Sequence, residues 1–256
     1  MNGLLRQPIL LFLCISAFLC LLTFAGYQLA LKTSANDDSH HHEHITGLRE
    51  GLFVLLGLLL GFTVAMVLPR FDQRGDLVVE EAHSIQATWL QAQILPEPQR
   101  GKTLQLLREY VAVRRQFSGT TLGDETDLHA INKRTIALQE QLWQQFLEAE
   151  AQNQTATVAA YERSLSGMIG VSESRLATFE NRVPEEVWII ILVVAAFQSF
   201  VTGYSMKRKI WLSLMVTPVV IAVVIALIGD LDDPHSGLIH IQQNSLNRLG
   251  NELGER

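Results

Sequence analysis

Four histidines lie close together between the first two apolar segments of the chain. They are His40, His41, His42 and His44, and Asp37, Asp38 and Glu43 lie among them. Imidazole and carboxylate groups coordinate divalent metals such as zinc, copper and nickel. The pattern is compositional and lacks the regular spacing of a closed metal site. Two interpretations stay open, a weak divalent-metal site and a solvated loop that responds to pH.

Three aspartates, Asp230, Asp232 and Asp233, follow the last apolar segment. A carboxylate at the C-terminal end of a helix opposes the helix dipole, so Asp230 needs another partner, such as an arginine or a cation. Asp233 precedes Pro234, and this pair is typical of the start of a helix. The motif is therefore either a set of caps and structural pairs or a cation or gating site. Its spacing is not that of an EF-hand.

Gly57 and Gly61 lie four residues apart in the second apolar segment. Glycines at this spacing let the backbones of two membrane helices approach closely. Together with Phe53 and Phe62, the same glycines could instead narrow a hydrophobic pore that closes by dewetting. The pattern leaves both helix packing and pore lining open.

The sequence contains no recognisable enzyme motif. It has no Gly-rich phosphate loop, no His-Glu-x-x-His and no nucleophile elbow. The formal net charge is -6, and no stripe of lysine and arginine is interleaved with aromatic residues. We therefore expect neither enzymatic activity nor binding of nucleic acid.

The histidines, aspartates and glycines described above lie in or next to four apolar segments that contain no charged residues. These segments cover residues 7–31, 51–69, 187–206 and 210–229. Each has about 20 residues, the length that a helix needs to cross a hydrocarbon core about 30 Å thick. The sequence therefore predicts an integral membrane protein that contacts the lipid bilayer through two pairs of spans.

The polar segment between the two pairs has the periodicity of helices. Apolar residues recur at intervals of three and four, as at Leu138, Leu142 and Phe146, and strand-like alternation is missing. The predicted class is all-α, with four transmembrane helices in two hairpins and a helical cytosolic domain between them. The predicted segments are a membrane hairpin with a His-rich loop (1–69), the cytosolic domain (70–186), a second hairpin (187–229) and a cytosolic amphipathic tail (230–256).

Several motifs from the second span onwards resemble one known family. The run 57–74, the turn Leu95-Pro96-Glu97-Pro98, and the tail Leu231-Asp232-Asp233-Pro234 with Ser236 and Gly237 are similar to the bacterial bestrophin-like membrane family, whose function is uncharacterised. The resemblance implies a homo-oligomer in the bacterial inner membrane, with a central anion-conducting pore lined by the second span. It also implies that both termini are cytoplasmic. Charge alone leaves the orientation undecided, because six lysines and arginines lie near the span ends on one side of the membrane and five on the other.

Two functional hypotheses follow. The first is an oligomeric channel for small ions, with anions expected, whose pore is lined by Phe53, Gly57, Gly61 and Phe62. The chain departs from animal channels of the wider group because it has no clear acidic run like their calcium clasp. The second hypothesis is a non-conducting sensor or scaffold, in which the external His-rich loop binds metal or responds to pH. Apart from that divalent metal, no cofactor is expected.

Overall fold

The chain forms eight helices within the residues that the structure, a computed structural model, describes: 8–33, 39–119, 125–152, 155–206, 211–233, 239 and 241–254. None of these residues forms a strand, so the predicted all-α class is confirmed. The helices are α1 (Pro8–Thr33), α2 (Ser39–Ala92), α3 (Gln99–Gly119), α4 (Glu125–Gln152), α5 (Ala156–Glu180), α6 (Glu185–Tyr204), α7 (Trp211–Asp232) and α8 (Asn244–Gly254).

Four of these helices, α1, α2, α6 and α7, are long and apolar enough to cross a membrane. They coincide with the four predicted spans. α2 is much longer than a bilayer requires, since its 54 residues extend about 80 Å at 1.5 Å per residue. Pro69 lies inside this helix and does not end it. α2 therefore continues from an apolar span into the polar part of the chain.

The chain divides into two compact units. The membrane unit contains Met1–Phe71 and Arg182–Ile239, and the helical unit contains Asp72–Asn181 and His240–Arg256. The two predicted hairpins thus belong to one unit, together with the start of the predicted tail, and the tail from His240 onwards belongs with the middle of the chain. The four-segment division made from the sequence stays a prediction.

In the membrane unit, α1 packs against both α6 and α7, which also contact each other. Their apolar core includes Leu19, Ile191 and Ile225, and α2 adds Leu56 and Leu60. Two glycines allow two of these helices to approach closely. A Cβ atom on Gly26 of α1 would collide with the carbonyl oxygen of Phe200, and one on Gly203 of α6 would collide with that of Thr23. The α1 and α6 backbones therefore touch at this crossing.

The helical unit is built around a core of buried apolar and aromatic residues from α2, α3, α4, α5 and α8. The seam predicted from Leu138, Leu142 and Phe146 faces this core. α8 contributes Leu246, Leu249 and Leu253, all buried, on one face of a short amphipathic helix. Arg108 of α3 donates a hydrogen bond from Nε to the carbonyl oxygen of Leu253 at 2.9 Å. The end of the tail is therefore part of the unit's core.

Candidate functional site

The four residues predicted to line a pore are exposed on the second span, α2. Phe53 is 56% exposed and Phe62 is 64% exposed, and Gly57 and Gly61 are also exposed. In the part of the chain that the structure describes, no atom outside the local helix backbone lies within 4 Å of a Cβ placed on either glycine. The glycine surface of α2 therefore has no close partner within the described residues of its own chain.

The register of α2 separates these four residues into two groups. Since an α-helix turns about 100° per residue, Phe53, Gly57 and Gly61 follow one another along one face. Phe62 lies about 180° around the helix from Phe53 by the same count. The structure therefore places Phe53, Gly57 and Gly61 together, and we call this surface the glycine face. Phe62 points in another direction.

Two opposite charges, Arg49 and Glu50, lie just before the apolar part of α2. Arg49 donates from Nη1 to Ser205 Oγ on α6 at 3.4 Å, and its Nη2 lies 3.8 Å from Glu50 Oε1. The Glu50 side chain is 68% exposed. Glu50 precedes Gly57 by seven residues, which is about two helical turns, so it lies on the glycine face. Sequence reasoning missed this charge, although the spacing of seven was visible.

The three aspartates after the last span make contacts inside the membrane unit. Buried Asp232 accepts hydrogen bonds from the Val183 backbone N–H at 3.1 and 3.2 Å, just before α6 begins. Asp230 Oδ2 accepts from the Ile239 N–H at 3.1 Å, and Asp233 Oδ1 lies 3.8 Å from Arg182 Nη2. These contacts favour capping and structural pairing over a cation site. Pro234, which follows Asp233 in the motif, lies outside the described residues.

The histidine cluster lies in a helix and not in the loop expected from the sequence. α2 begins at Ser39, so the backbones of His40, His41, His42 and His44 are helical. No glycine or proline interrupts residues 39–46, which allows the helix to extend this far. His44 is exposed, whereas the side chains of His40, His41 and His42 lie outside the described part of the structure. The divalent metal stays a prediction, and among the described residues no group of three or more potential ligands forms a metal site.

A buried ion cluster in the helical unit was missed by sequence reasoning. Glu81 of α2 accepts hydrogen bonds from Arg114 of α3 at Oε1 and from Arg175 of α5 at Oε2. All three side chains are at most 1% exposed. A visible signal existed, because Glu81 falls within the apolar stripe of α2, three residues after Val78 and four before Ile85.

Aromatic rings complete the surroundings of this cluster. The guanidinium carbons of Arg114 and Arg175 lie 4.6 and 5.2 Å from the centre of the Phe117 ring. Phe117 in turn meets Phe179 edge to face, with ring centres 5.0 Å apart. Burial lowers the pKa of Arg175, and the negative charge of Glu81 opposes this shift. Ion pairing and ring contacts together keep these charges inside the unit.

A third buried arginine binds the carbonyl groups at the C-terminal end of α5. Arg74 of α2 donates from Nε to the carbonyl oxygen of Thr178 at 3.4 Å and from Nη2 to that of Asn181 at 3.2 Å. Carbonyl groups at a helix C-terminus have no partner within the helix and carry partial negative charge, so an arginine stabilises them. The helical unit thus uses its buried charges to hold α2 against α3 and α5.

Comparison with known proteins agrees with this architecture. A family model described as a Bestrophin-like domain matches residues 14–246. The structure of a bacterial bestrophin homologue from Klebsiella pneumoniae is similar, with 13% identity, a TM-score of 0.69, and coverage of 96% of this chain and 97% of that one. A variant of a bestrophin homologue from the same organism gives 15% identity and a TM-score of 0.68, with coverage of 97% and 98%.

At these identities the solved structures show a shared fold alone. No curated protein matches the chain. The family match, in contrast, covers most of the first membrane hairpin, the whole polar segment and the second hairpin. The sequence resemblance is therefore confirmed, and this membrane protein belongs to the bestrophin-like family.

Proposed function

We propose that the protein is an oligomeric channel for small ions in the bacterial inner membrane, with a pore lined by the glycine face of α2. The observation that carries this proposal is the open surface at Gly57 and Gly61, where no described atom beyond the local helix lies within 4 Å of a Cβ placed on either glycine. Elsewhere in the same unit, glycines are used for close helix contact, as at Gly26 and Gly203. The glycines of α2 are therefore available to a pore or to a second copy.

In a ring of identical chains, the glycine face of α2 could line a central pore. Closed rotational symmetry is the usual arrangement of homo-oligomers, and it would bring the α2 helices of several copies around one axis. Phe53 would then narrow the lumen one turn before Gly57, and the apolar lining would let the pore close by dewetting. The partners of the protein in this proposal are lipid, further copies of the chain and small ions.

The finer features of the proposal come from the family resemblance. Anions are the expected permeant ions, and both termini are expected in the cytoplasm. The proposal needs no catalytic residue and no cofactor. It assigns the buried Glu81 cluster to stability of the helical unit, since these side chains are too buried to contact passing ions.

Ion flux into liposomes tests the proposal. Gly57→Leu should reduce flux strongly while the protein stays folded, because the added side chain enters open space within the subunit. Gly167→Leu is the matched control, since Gly167 on α5 is an exposed helical glycine that also has nothing within 4 Å. A monomer in detergent, or normal flux through Gly57→Leu, would contradict the proposal.

A non-conducting sensor or scaffold is the second candidate. It is favoured by the position of the histidines, because His40–His44 lie on the same continuous helix as the second span. Metal or protons bound there would act directly on α2. Isothermal titration with zinc should show binding that is lost when His40, His41, His42 and His44 are replaced by alanine. The absence of zinc and copper binding would remove this candidate.

A further inference from the structure

The helical unit contains an open pocket beside the junction of α4 and α5, with a volume of about 550 Å³. This volume falls within the range of about 300–1,000 Å³ that is typical of small-molecule sites. Trp143, Phe146 and Glu150 of α4 form one wall, and Val158, Ala159 and Glu162 of α5 form the other. Neither the pore proposal nor the histidine cluster uses this pocket.

The pocket offers an aromatic surface. The ring centres of Trp143 and Phe146 lie 5.1 Å apart, with the ring planes tilted by 55°. Phe146 is buried, whereas Trp143 is only partly buried and so can present its ring to a ligand. Among aromatic side chains, tryptophan attracts a cation most strongly.

The pocket is also acidic. Glu150 and Glu162 stand on opposite walls, and both are half-buried. Among the described residues, neither carboxylate takes part in an ion pair, and no lysine or arginine lines the pocket. Glu148, two residues before Glu150, differs in this respect because Lys102 Nζ lies 3.9 Å from its Oε2. Within the described part of the chain, the pocket therefore presents two carboxylates without an ion-pair partner beside an aromatic ring.

We propose that this pocket binds a protonated aliphatic amine, and in particular a short diamine. An ammonium group would be attracted both by the carboxylates and by the face of Trp143. The methylene chain would lie against Val158 and Ala159, and two carboxylates on opposite walls suit two ammonium groups. A divalent metal fits less well, because a hard cation needs six or more oxygen ligands and gains nothing from apolar walls.

Local structure fixes one wall of this pocket. Thr155 caps the N-terminus of α5, and its Oγ1 accepts a hydrogen bond from the Val158 N–H at 3.4 Å. The cap sets where α5 begins. It thereby fixes the positions of Ala159 and Glu162 one and two turns further along.

Isothermal titration of the full chain in detergent with putrescine tests this inference. Putrescine should bind, whereas butanediol, which has the same chain length without charge, should not. Glu150→Gln, Glu162→Gln and Trp143→Leu should each weaken binding about tenfold or more, because each removes an attraction to the ammonium groups. Glu148→Gln is the matched control on the same helix, and it should bind putrescine as the unmodified chain does.

Three results would overturn the inference. They are no putrescine binding by the unmodified chain, equal binding of butanediol, and unweakened binding by the Glu150→Gln and Glu162→Gln variants. The glutamine variants keep the size of the side chains, and thermal unfolding of each variant verifies that it is folded. The assay involves no ion flux, so its result is independent of whether the protein conducts.

Discussion

Gly26 of α1 and Gly203 of α6 lie at one helix crossing in the membrane unit, and each leaves room for the backbone of the other helix. Beyond the carbonyl groups of Phe200 and Thr23, the remaining obstacles to an added Cβ are also backbone atoms, the nitrogens of Tyr204 and Tyr27, each 3.0 Å from the Cβ position. Backbone cannot rotate aside as a side chain can. The crossing therefore depends on glycine at both positions.

Gly26→Ala and Gly203→Ala should each destabilise the protein. Alanine in a helix interior normally gains about 0.5–1 kcal/mol over glycine, but overpacking a tight contact costs about 1–3 kcal/mol or more. The collision should therefore outweigh the helix propensity, and the thermal unfolding midpoint in detergent should fall. Gly57→Ala is the control and should not lower the midpoint. Equal midpoints for all three variants would show that the crossing is not tight.

Glu81→Gln should be among the most destabilising single changes in the helical unit. It leaves the buried guanidinium groups of Arg114 and Arg175 without their shared carboxylate, and removing one partner of a buried pair typically costs about 3–5 kcal/mol. Glu97→Gln provides the comparison, because Glu97 pairs with Arg100 at the surface and should matter little. The measurement is thermal unfolding, and similar midpoints for the two variants would refute the expectation.

Neutralising the two charges before the second span should change ion flux in opposite directions. If anions pass, Glu50→Gln should increase chloride flux at low ionic strength and Arg49→Gln should decrease it. The Glu50 effect should be larger because this residue lies on the glycine face. Both effects should shrink near 1 M salt, where the Debye length is about 3 Å. Salt-independent effects, or changes of the same sign, would contradict this role.

The sequence was sufficient to locate the spans and the helical seams, but not the helical start of α2 at the histidines or the long-range partners of the helices. Apolar length alone located all four spans, and intervals of three and four located the helical seams. The partners of Glu81 lie 33 and 94 residues away in the chain, and the glycine crossing joins Gly26 to the distant Gly203. Contacts at such separations depend on how the helices pack, so local spacing cannot reveal them.

High pH should weaken the helical unit through its buried tyrosines. Burial raises the pKa of Tyr161 and of Tyr110 above the ordinary value of 10.0. Each phenol thus stays protonated in the folded chain while the unfolded chain loses the proton. The free energy of unfolding therefore keeps its full value with respect to these groups below about pH 10. Above that pH it falls, by about 1.4 kcal/mol per pH unit for each group.

Thermal midpoints of the unmodified chain and of Tyr161→Phe, compared at about pH 9 and about pH 11, measure this effect. The unmodified chain should lose more of its stability over this interval than the variant, because phenylalanine has no proton to release. Parallel losses in the two proteins would exclude Tyr161 as a source of the alkaline sensitivity.

Thiol labelling of Gly57→Cys during ion flux tests the central claim most directly. The background carries Cys14→Ala and Cys20→Ala, which removes the two native free cysteines of α1 and leaves the new cysteine as the target of labelling. If the glycine face lines a conducting pore, a charged thiol reagent should reach the new cysteine from water and reduce flux, and permeant ions should slow its reaction. Unchanged flux through fully labelled protein would contradict the claim.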